Sequence, residues 1–252
     1  MTHPATSPRS TRGAAPSSRR WPWVVGLLLL SAIPVAAGIA RLIQLATVDT
    51  APPSALRFFQ APWPVVVHIV SASLFLVVGG LQLDPRTRRL RPGMHRRVGW
   101  ALVVAGGLSV LSALWMMITY VQPAHESPLL TVFRWLVGST ILGALGLGTR
   151  AALRRDYASH GAWMLRAYAL SAAAGTQSLL LAPVFVLYGP LEPVPSALVM
   201  GACWVLNLVL AELWLRRRAA QGRRGGATTH LAGATAAIAQ APSGSPTATQ
   251  RL

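Results

Sequence analysis

The sequence predicts an all-α protein, a polytopic transmembrane helical bundle of six spans with both termini cytoplasmic. The prediction rests on scarce charge, repeated apolar runs of membrane-spanning length, and arginine clusters in alternate connections. Of the 252 residues, 53% are hydrophobic and 12% are charged, whereas soluble domains carry about 25% charged residues. A soluble domain of this length would need a charged surface, and this chain lacks the residues to make one.

Six apolar windows are long enough to cross a bilayer as helices, which takes about 20 predominantly apolar residues. The windows are Trp21 to Ile43, Pro64 to Leu83, Val98 to Val121, Leu129 to Thr149, Ala162 to Leu187, and Pro195 to Leu215. A signal peptide is the alternative interpretation of the first window, but a signal h-region spans only about 7 to 15 residues. The longer run favours an uncleaved signal-anchor.

The arginines cluster in every second connection between these windows. The clusters are Arg9, Arg12, Arg19 and Arg20; Arg86, Arg88, Arg89, Arg91, Arg96 and Arg97; Arg150, Arg154 and Arg155; and Arg216, Arg217, Arg218, Arg223 and Arg224. Among the arginines, the intervening loops hold only Arg57. Cytoplasmic loops of membrane proteins retain Arg and Lys, so the pattern predicts that both termini lie inside.

The high positive charge is explained by the bilayer. A net charge of +17 can indicate nucleic-acid binding, but here the basic residues flank apolar runs, where a membrane protein keeps them. The predicted partner is therefore the lipid bilayer and not nucleic acid. Residues 1–20 and 217–252 are rich in Ala, Ser, Thr, Gly, Pro and Arg. We predict disordered cytoplasmic tails there, with residues 21–216 as the six-helix transmembrane domain.

Two stripes of small and polar residues predict where the helices pack. The stripes are His68, Ser71, Phe75, Gly79 and Gln82 in the second span, and Ala167, Ser171 and Gly175 in the fifth. Lipid provides no hydrophobic drive for helix association, so small residues that permit close approach mark helix interfaces. Both stripes should therefore point into the bundle.

Several polar side chains lie inside the predicted spans, where each needs a partner, a cavity or a role. This intramembrane polar cluster comprises Gln82, Arg166, Gln177, Asn207 and Glu212. Arg166 and Glu212 should lie at similar depth near the cytoplasmic side, so we expect an ion pair between them. A purely structural pair is favoured over a functional one, because ionisable residues within spans commonly pair with each other.

The histidines form the sharpest pattern. His68 lies near the outer face and His125 in the outer loop between spans three and four, while His95 and His160 lie at the cytoplasmic starts of spans three and five. Imidazole pairs on facing helices can hold a haem iron axially. We therefore predict candidate haem b ligands in His95 with His160, and in His68 with His125. The alternatives are lipid-phosphate contact for His95, a helix start for His160, and a loop position for His125.

No other chemistry stands out, and the sequence indicates no catalytic residue and no metal site. HExxH, CxxC, GxSxG and phosphate-binding glycine loops are absent from the sequence, so none of these motifs indicates an activity. Three functions stay open. They are a haem-b transmembrane electron carrier, a small-molecule or lipid transporter or binding protein with a polar cavity, and a structural membrane subunit. In the second, His68 and the intramembrane polar cluster would line the cavity.

Four stretches resemble a bacterial membrane family catalogued as domain of unknown function 2306. They are HIVSASLFLVVGGLQL from residue 68, RTRRLRPGMHRRVGW from 86, RRDYASHGAWMLRAYALSAAAGTQSLLL from 154, and CWVLNLVLAEL from 203, within a resemblance over residues 62–216. The resemblance implies a multi-pass protein of the bacterial cytoplasmic (inner) membrane, with no activity assigned. The layout of the histidines is also similar to that of the transmembrane cytochromes b that take electrons from ascorbate.

The family resemblance singles out particular residues. They are His68, Gln82, His95, Arg96, His160, Trp163, Arg166, Tyr168, Trp204, Asn207 and Glu212. The chain departs from the family pattern in its fifth span. There, Gly161 and Ala162 follow His160 where the family has two arginines, and Gln177 replaces a commonly basic residue.

Overall fold

A computed structural model describes residues 21–123 and 126–239, and the regular elements in that part of the chain are helical. They are α1 (Trp21–Thr47), α2 (Leu56–Gln60), α3 (Pro62–Gln82), α4 (Pro85–Leu90), α5 (Pro92–Thr119), α6 (Pro128–Leu153), α7 (Tyr157–Tyr188) and α8 (Pro193–Ala239), with a 3-10 turn at Pro53–Ala55. The all-α prediction is confirmed.

Six of the helices are long and apolar enough to cross a membrane. These segments are Val24–Thr47, Pro62–Gln82, Pro92–Thr119, Pro128–Leu153, Tyr157–Tyr188 and Pro193–Gln221, so the predicted number of spans is confirmed. We call the end of the bundle that carries the α1–α3, α5–α6 and α7–α8 connections the outer end, following the predicted orientation, and the opposite end the inner end. The orientation itself stays a prediction.

Helix starts explain why the helices extend beyond the apolar windows. Proline stands in the first turn of α3, α4, α5 and α6, where its missing amide is harmless. Asp156 caps α7 by accepting a hydrogen bond from the Ser159 amide at 3.0 Å. Hydrogen bonds from the Ser159 hydroxyl and amide hold the pKa of Asp156 below its ordinary value. The predicted fifth span began at Ala162 because apolarity alone does not reveal a polar cap.

Helix α7 is the centre of the bundle and packs against α1, α3, α6 and α8. Its residues Ala167 and Ala173 are completely buried, and Tyr168 is 2% exposed. The Tyr168 hydroxyl donates a hydrogen bond to the Leu76 carbonyl at 2.9 Å, and its ring lies against Gly79. In the second span, Ser71, Phe75 and Gly79 are buried, so the predicted inward face of that helix is confirmed.

The inner end of α8 differs from the predicted tail. Helix α8 continues past Arg216 to Ala239, whereas we predicted disorder from residue 217. The segment is rich in alanine and arginine, which are among the best helix formers. Residues 1–20 and 240–252 lie outside the described residues, so disorder there stays a prediction.

A close approach of two helices involves the small-residue stripe of α7. A Cβ atom added at Gly175 would lie 2.1 Å from the carbonyl oxygen of Leu30 in α1. Such a contact cannot be relieved by rotating a side chain, because the atom it meets belongs to the backbone. The predicted close approach at this stripe is therefore realised between α1 and α7.

Replacing Gly175 by alanine should push α1 away from α7. We expect Gly175→Ala to lower the free energy of unfolding by about 1 to 3 kcal/mol, the usual cost of overpacking. Gly161→Ala is the matched control on α7, since nothing lies within 4 Å of its added Cβ. The control should stabilise the helix slightly. Reversible unfolding in detergent measures both, and equal effects would contradict the close contact.

Candidate functional site

The outer half of the bundle contains a cavity of about 450 Å³. Side chains from α1, α3, α5, α6, α7 and α8 line it. The cavity extends from the outer connections, where Tyr120 and Gln122 lie, to Ile141 and Leu170 near the middle of their helices. Apolar residues such as Phe75 make up most of the wall. The volume falls within the range of about 300 to 1,000 Å³ that is typical of ligand sites.

His68 is a polar group of the cavity wall. Its Nδ1 atom lies 2.8 Å from the backbone carbonyl oxygen of Ser109 in α5. Because a carbonyl oxygen only accepts, Nδ1 carries the hydrogen, and the neutral ring keeps Nε2 as a hydrogen-bond acceptor. The bond ties α3 to α5 and fixes the direction of the imidazole. The sequence located His68 on an inward face but could not reveal its partner, which is backbone.

Gln177 is the second polar wall group that the sequence singled out. It is 9% exposed, and its Nε2 atom donates a hydrogen bond to the Met200 carbonyl of α8 at 3.1 Å. The side chain therefore lines the cavity and also joins α7 to α8. Among the six residues predicted to line one polar cavity, His68 and Gln177 lie at this one.

The outer mouth of the cavity carries charged groups. Arg134 of α6 forms a two-point ion pair with Glu126, and its Nη2 atom lies 3.3 Å from Oε1. Arg57 donates from Nη1 to the Val121 carbonyl at 3.1 Å, and its guanidinium lies 4.8 Å from the centre of the Phe58 ring. Sequence reasoning did not find this pair or the position of Arg57 at a cavity, because both depend on how the outer loops fold over the bundle.

Arg166 and Glu212 form the expected ion pair near the inner end, away from the cavity. Arg166 donates from Nε and Nη2 to the two carboxylate oxygens, with the second bond at 3.1 Å. The guanidinium also lies 4.7 Å from the centre of the Trp163 ring. The pair joins α7 to α8, so its role in the structure is to hold two helices together.

Asn207 forms a second link between the same helices. Its Nδ2 atom donates to the Ala169 carbonyl at 3.1 Å, and its Oδ1 atom accepts from the Thr176 hydroxyl at 3.0 Å. The nitrogen and the oxygen of the side-chain amide are each engaged in helix packing. Asn207 thus belongs to the α7–α8 interface and not to the cavity wall.

Comparison with known proteins defines the family. A family model described as a predicted membrane protein, DUF2306, matches residues 65–215. The chain belongs to this family. No curated protein and no solved structure matches the chain. The DUF2306 match runs from the first turn of α3 into the inner part of α8 and includes most of the cavity wall. Helix α1, which contributes Pro34 and Gly38 to that wall, lies outside the match.

The other candidate haem ligands of this DUF2306 protein, together with Gln82, lie at its inner end or outside the described residues. His160 in α7 has its Nδ1 atom 2.9 Å from the Gly148 carbonyl oxygen. His95 is close enough to interact with it electrostatically. Nδ1 of His95 and Oε1 of Gln82 are buried without a hydrogen-bond partner. His125 lies outside the described residues. Across the described chain, no group of three or more His, Cys, Asp or Glu could hold a metal ion.

The Arg166–Glu212 pair should contribute measurable coupling to stability. We expect Arg166→Gln and Glu212→Gln to be non-additive, with a coupling free energy of about 1 kcal/mol, because each single change leaves a partly buried charge unpaired. A double-mutant cycle on the free energy of unfolding in detergent tests this. Arg166→Gln combined with Glu192→Gln, an exposed outer position, should be additive. Additivity in both cycles would mean that the ion pair contributes nothing.

Proposed function

We propose that this DUF2306 protein binds a small molecule or lipid in its outer cavity. The observation that supports the proposal is the cavity of about 450 Å³ within the bundle. A space of this volume suits a small molecule, and the apolar atoms of such a ligand would gain contacts with the apolar atoms of the wall.

The wall chemistry favours a ligand that is predominantly apolar and carries a polar group. Phe75, Leu114 and Ile141 are among the apolar side chains that line the cavity. His68 and Gln177 add neutral hydrogen-bonding groups, each already oriented by a backbone carbonyl. Ligand sites commonly combine apolar walls with a few oriented polar groups, which fix how the ligand lies.

Packing below the cavity supports binding at one side of the membrane and not an open path across it. Phe75 and Leu76 lie at the deep end of the cavity. Tyr168 is almost completely buried beside them, with its hydroxyl bonded to the Leu76 carbonyl. A molecule that enters from the outer half therefore meets a packed floor near the middle of the bundle.

A large side chain introduced into the cavity should weaken ligand binding. Ala113 of α5 lines the cavity, so Ala113→Phe should weaken binding of a neutral probe, 1-decanol, at least about tenfold by excluding it. Ala101→Phe, at an exposed position on the same helix, is the matched control and should bind normally. The readout is the rise in unfolding temperature that a native-state ligand causes. An equal rise in Ala113→Phe and the wild type would contradict the proposed site.

Haem b at the inner end is a second candidate, supported by the geometry of His160. A metal-ligating imidazole typically donates its other ring hydrogen to a backbone carbonyl or carboxylate. His160 does so to Gly148 from Nδ1, which leaves Nε2 available. His95 at the start of α5 would supply the second axial ligand. The outer pair would need His68 together with His125.

An absorption spectrum tests the haem proposal directly. Haem at the inner pair should give a reduced-minus-oxidised Soret shift with sharp visible bands, and His160→Ala should lose them because an axial ligand is removed. His68→Ala is the comparison that separates the inner from the outer pair. A featureless spectrum of protein expressed with ample haem would refute haem binding and leave the cavity proposal intact.

A further inference from the structure

We propose that the cavity binds a membrane lipid with an anionic head group, which Arg57 holds at the outer mouth and which enters sideways between α6 and α8. This inference rests on the proposed function and adds the class of ligand and its route. Two independent features carry it. One is the charge of Arg57, which has no carboxylate partner among the described residues, and the other is an apolar groove that shares part of its wall with the cavity.

Arg57 brings a positive charge without a carboxylate partner to the cavity mouth. Its side chain lines the cavity, and Nη1 is bonded to the uncharged Val121 carbonyl. The ion pairs of the described residues are those of Arg134 with Glu126 and Arg166 with Glu212, so the other cationic side chain of the cavity wall, Arg134, is neutralised. A guanidinium fork suits the oxygens of phosphate or carboxylate groups. An anionic group at the mouth would balance the charge of Arg57.

The position of Arg57 in the sequence agrees with this role. It lies in the short helix α2, within the outer connection between α1 and α3, although positively charged residues are normally kept on the cytoplasmic side. With the predicted orientation, a cation in this connection lies at the level of lipid head groups, because the spanning helices α1 and α3 end there. Arg57 is thus placed where the polar part of a lipid resides, and the apolar cavity begins below it.

An apolar groove between α6 and α8 adjoins the cavity on the lipid-facing surface. The groove, of about 300 Å³, is lined by Phe133, Leu136 and Val137 of α6 and by Leu198, Ala202 and Val205 of α8, together with Trp204. Val137 and Trp204 also line the cavity. These two side chains therefore form the partition between cavity and groove.

A hydrocarbon chain that crosses the partition has to displace one aromatic side chain. The Phe133 ring of α6 packs directly on Gly201 of α8, 2.7 Å from an added Cβ. Leu136 and Val205 are 64% and 62% exposed, so the groove faces the acyl chains of the bilayer. Side-chain rotations are fast compared with helix movements. A lipid chain can therefore enter from the bilayer without leaving the hydrocarbon layer, while its head group stays at Arg57.

Native mass spectrometry of the full-length protein, released from micelles that contain equal amounts of palmitoyl-oleoyl phosphatidylglycerol and phosphatidylcholine, tests the proposal. We expect the wild type to retain phosphatidylglycerol about tenfold more strongly, because its head group is a net anion whereas the choline cation balances the phosphate of phosphatidylcholine. Arg57→Gln should remove this preference. Arg41→Gln is the matched control, because Arg41 also lies 4.8 Å from the Phe58 ring centre but does not line the cavity.

A second pair of variants tests the route of entry. Ala202→Trp places a large ring in the groove and should reduce retention of both lipids. Leu210→Trp, at a lipid-facing position on the same helix that is 55% exposed, should not reduce it.

Equal retention of the two lipids by the wild type, or no effect of Arg57→Gln or Ala202→Trp, would overturn the proposal. Inorganic phosphate that displaces phosphatidylglycerol completely would overturn it in favour of a simple anion site. If 1-decanol still binds in an Ala113-dependent manner, the cavity function survives these failures.

Discussion

The close packing around α7 is the constraint on which the rest of the structure depends. In a bilayer, helices gain little from hydrophobic burial, so contact between small residues has to hold them together. Small residues such as Ala167, Ala173 and Gly175 allow neighbouring helices to approach α7, and at Gly175 the backbone of α1 lies against the backbone of α7. In the outer half of the bundle the helices are spaced more widely, and a cavity lies between them.

Most polar residues of the spans lie at the interface between α7 and α8. At the inner end, Arg166 of α7 pairs with Glu212 of α8. Further towards the outer end, Asn207 of α8 donates to a backbone carbonyl of α7, and Gln177 of α7 donates to a backbone carbonyl of α8. Each contact removes an unsatisfied group from lipid, which would otherwise be costly. Only Gln177 among these four also faces the cavity, so most of the intramembrane polarity serves helix association.

The charge distribution at the cavity separates the roles of its polar groups. His68, whose ring is oriented by the Ser109 carbonyl, offers a hydrogen-bonding group inside the apolar space, whereas Arg57 adds a positive charge at the mouth. Such a gradient from an apolar interior to a charged rim matches an amphipathic molecule lying along the membrane normal. The groove at Val137 and Trp204 extends the same apolar surface towards the bilayer.

The sequence by itself determined the fold class, the six spans, the inward faces of α3 and α7, and the family, because hydropathy and residue size are properties of local windows. It also led to the Arg166–Glu212 pair, since helix length places both at one depth. The tertiary structure alone decided that Glu126 neutralises Arg134, that Ser109 holds His68 through its backbone, and that Arg57 stands at a cavity mouth. These contacts join residues from different helices and loops, and their geometry depends on how the helices are rotated and spaced, which a local pattern does not encode.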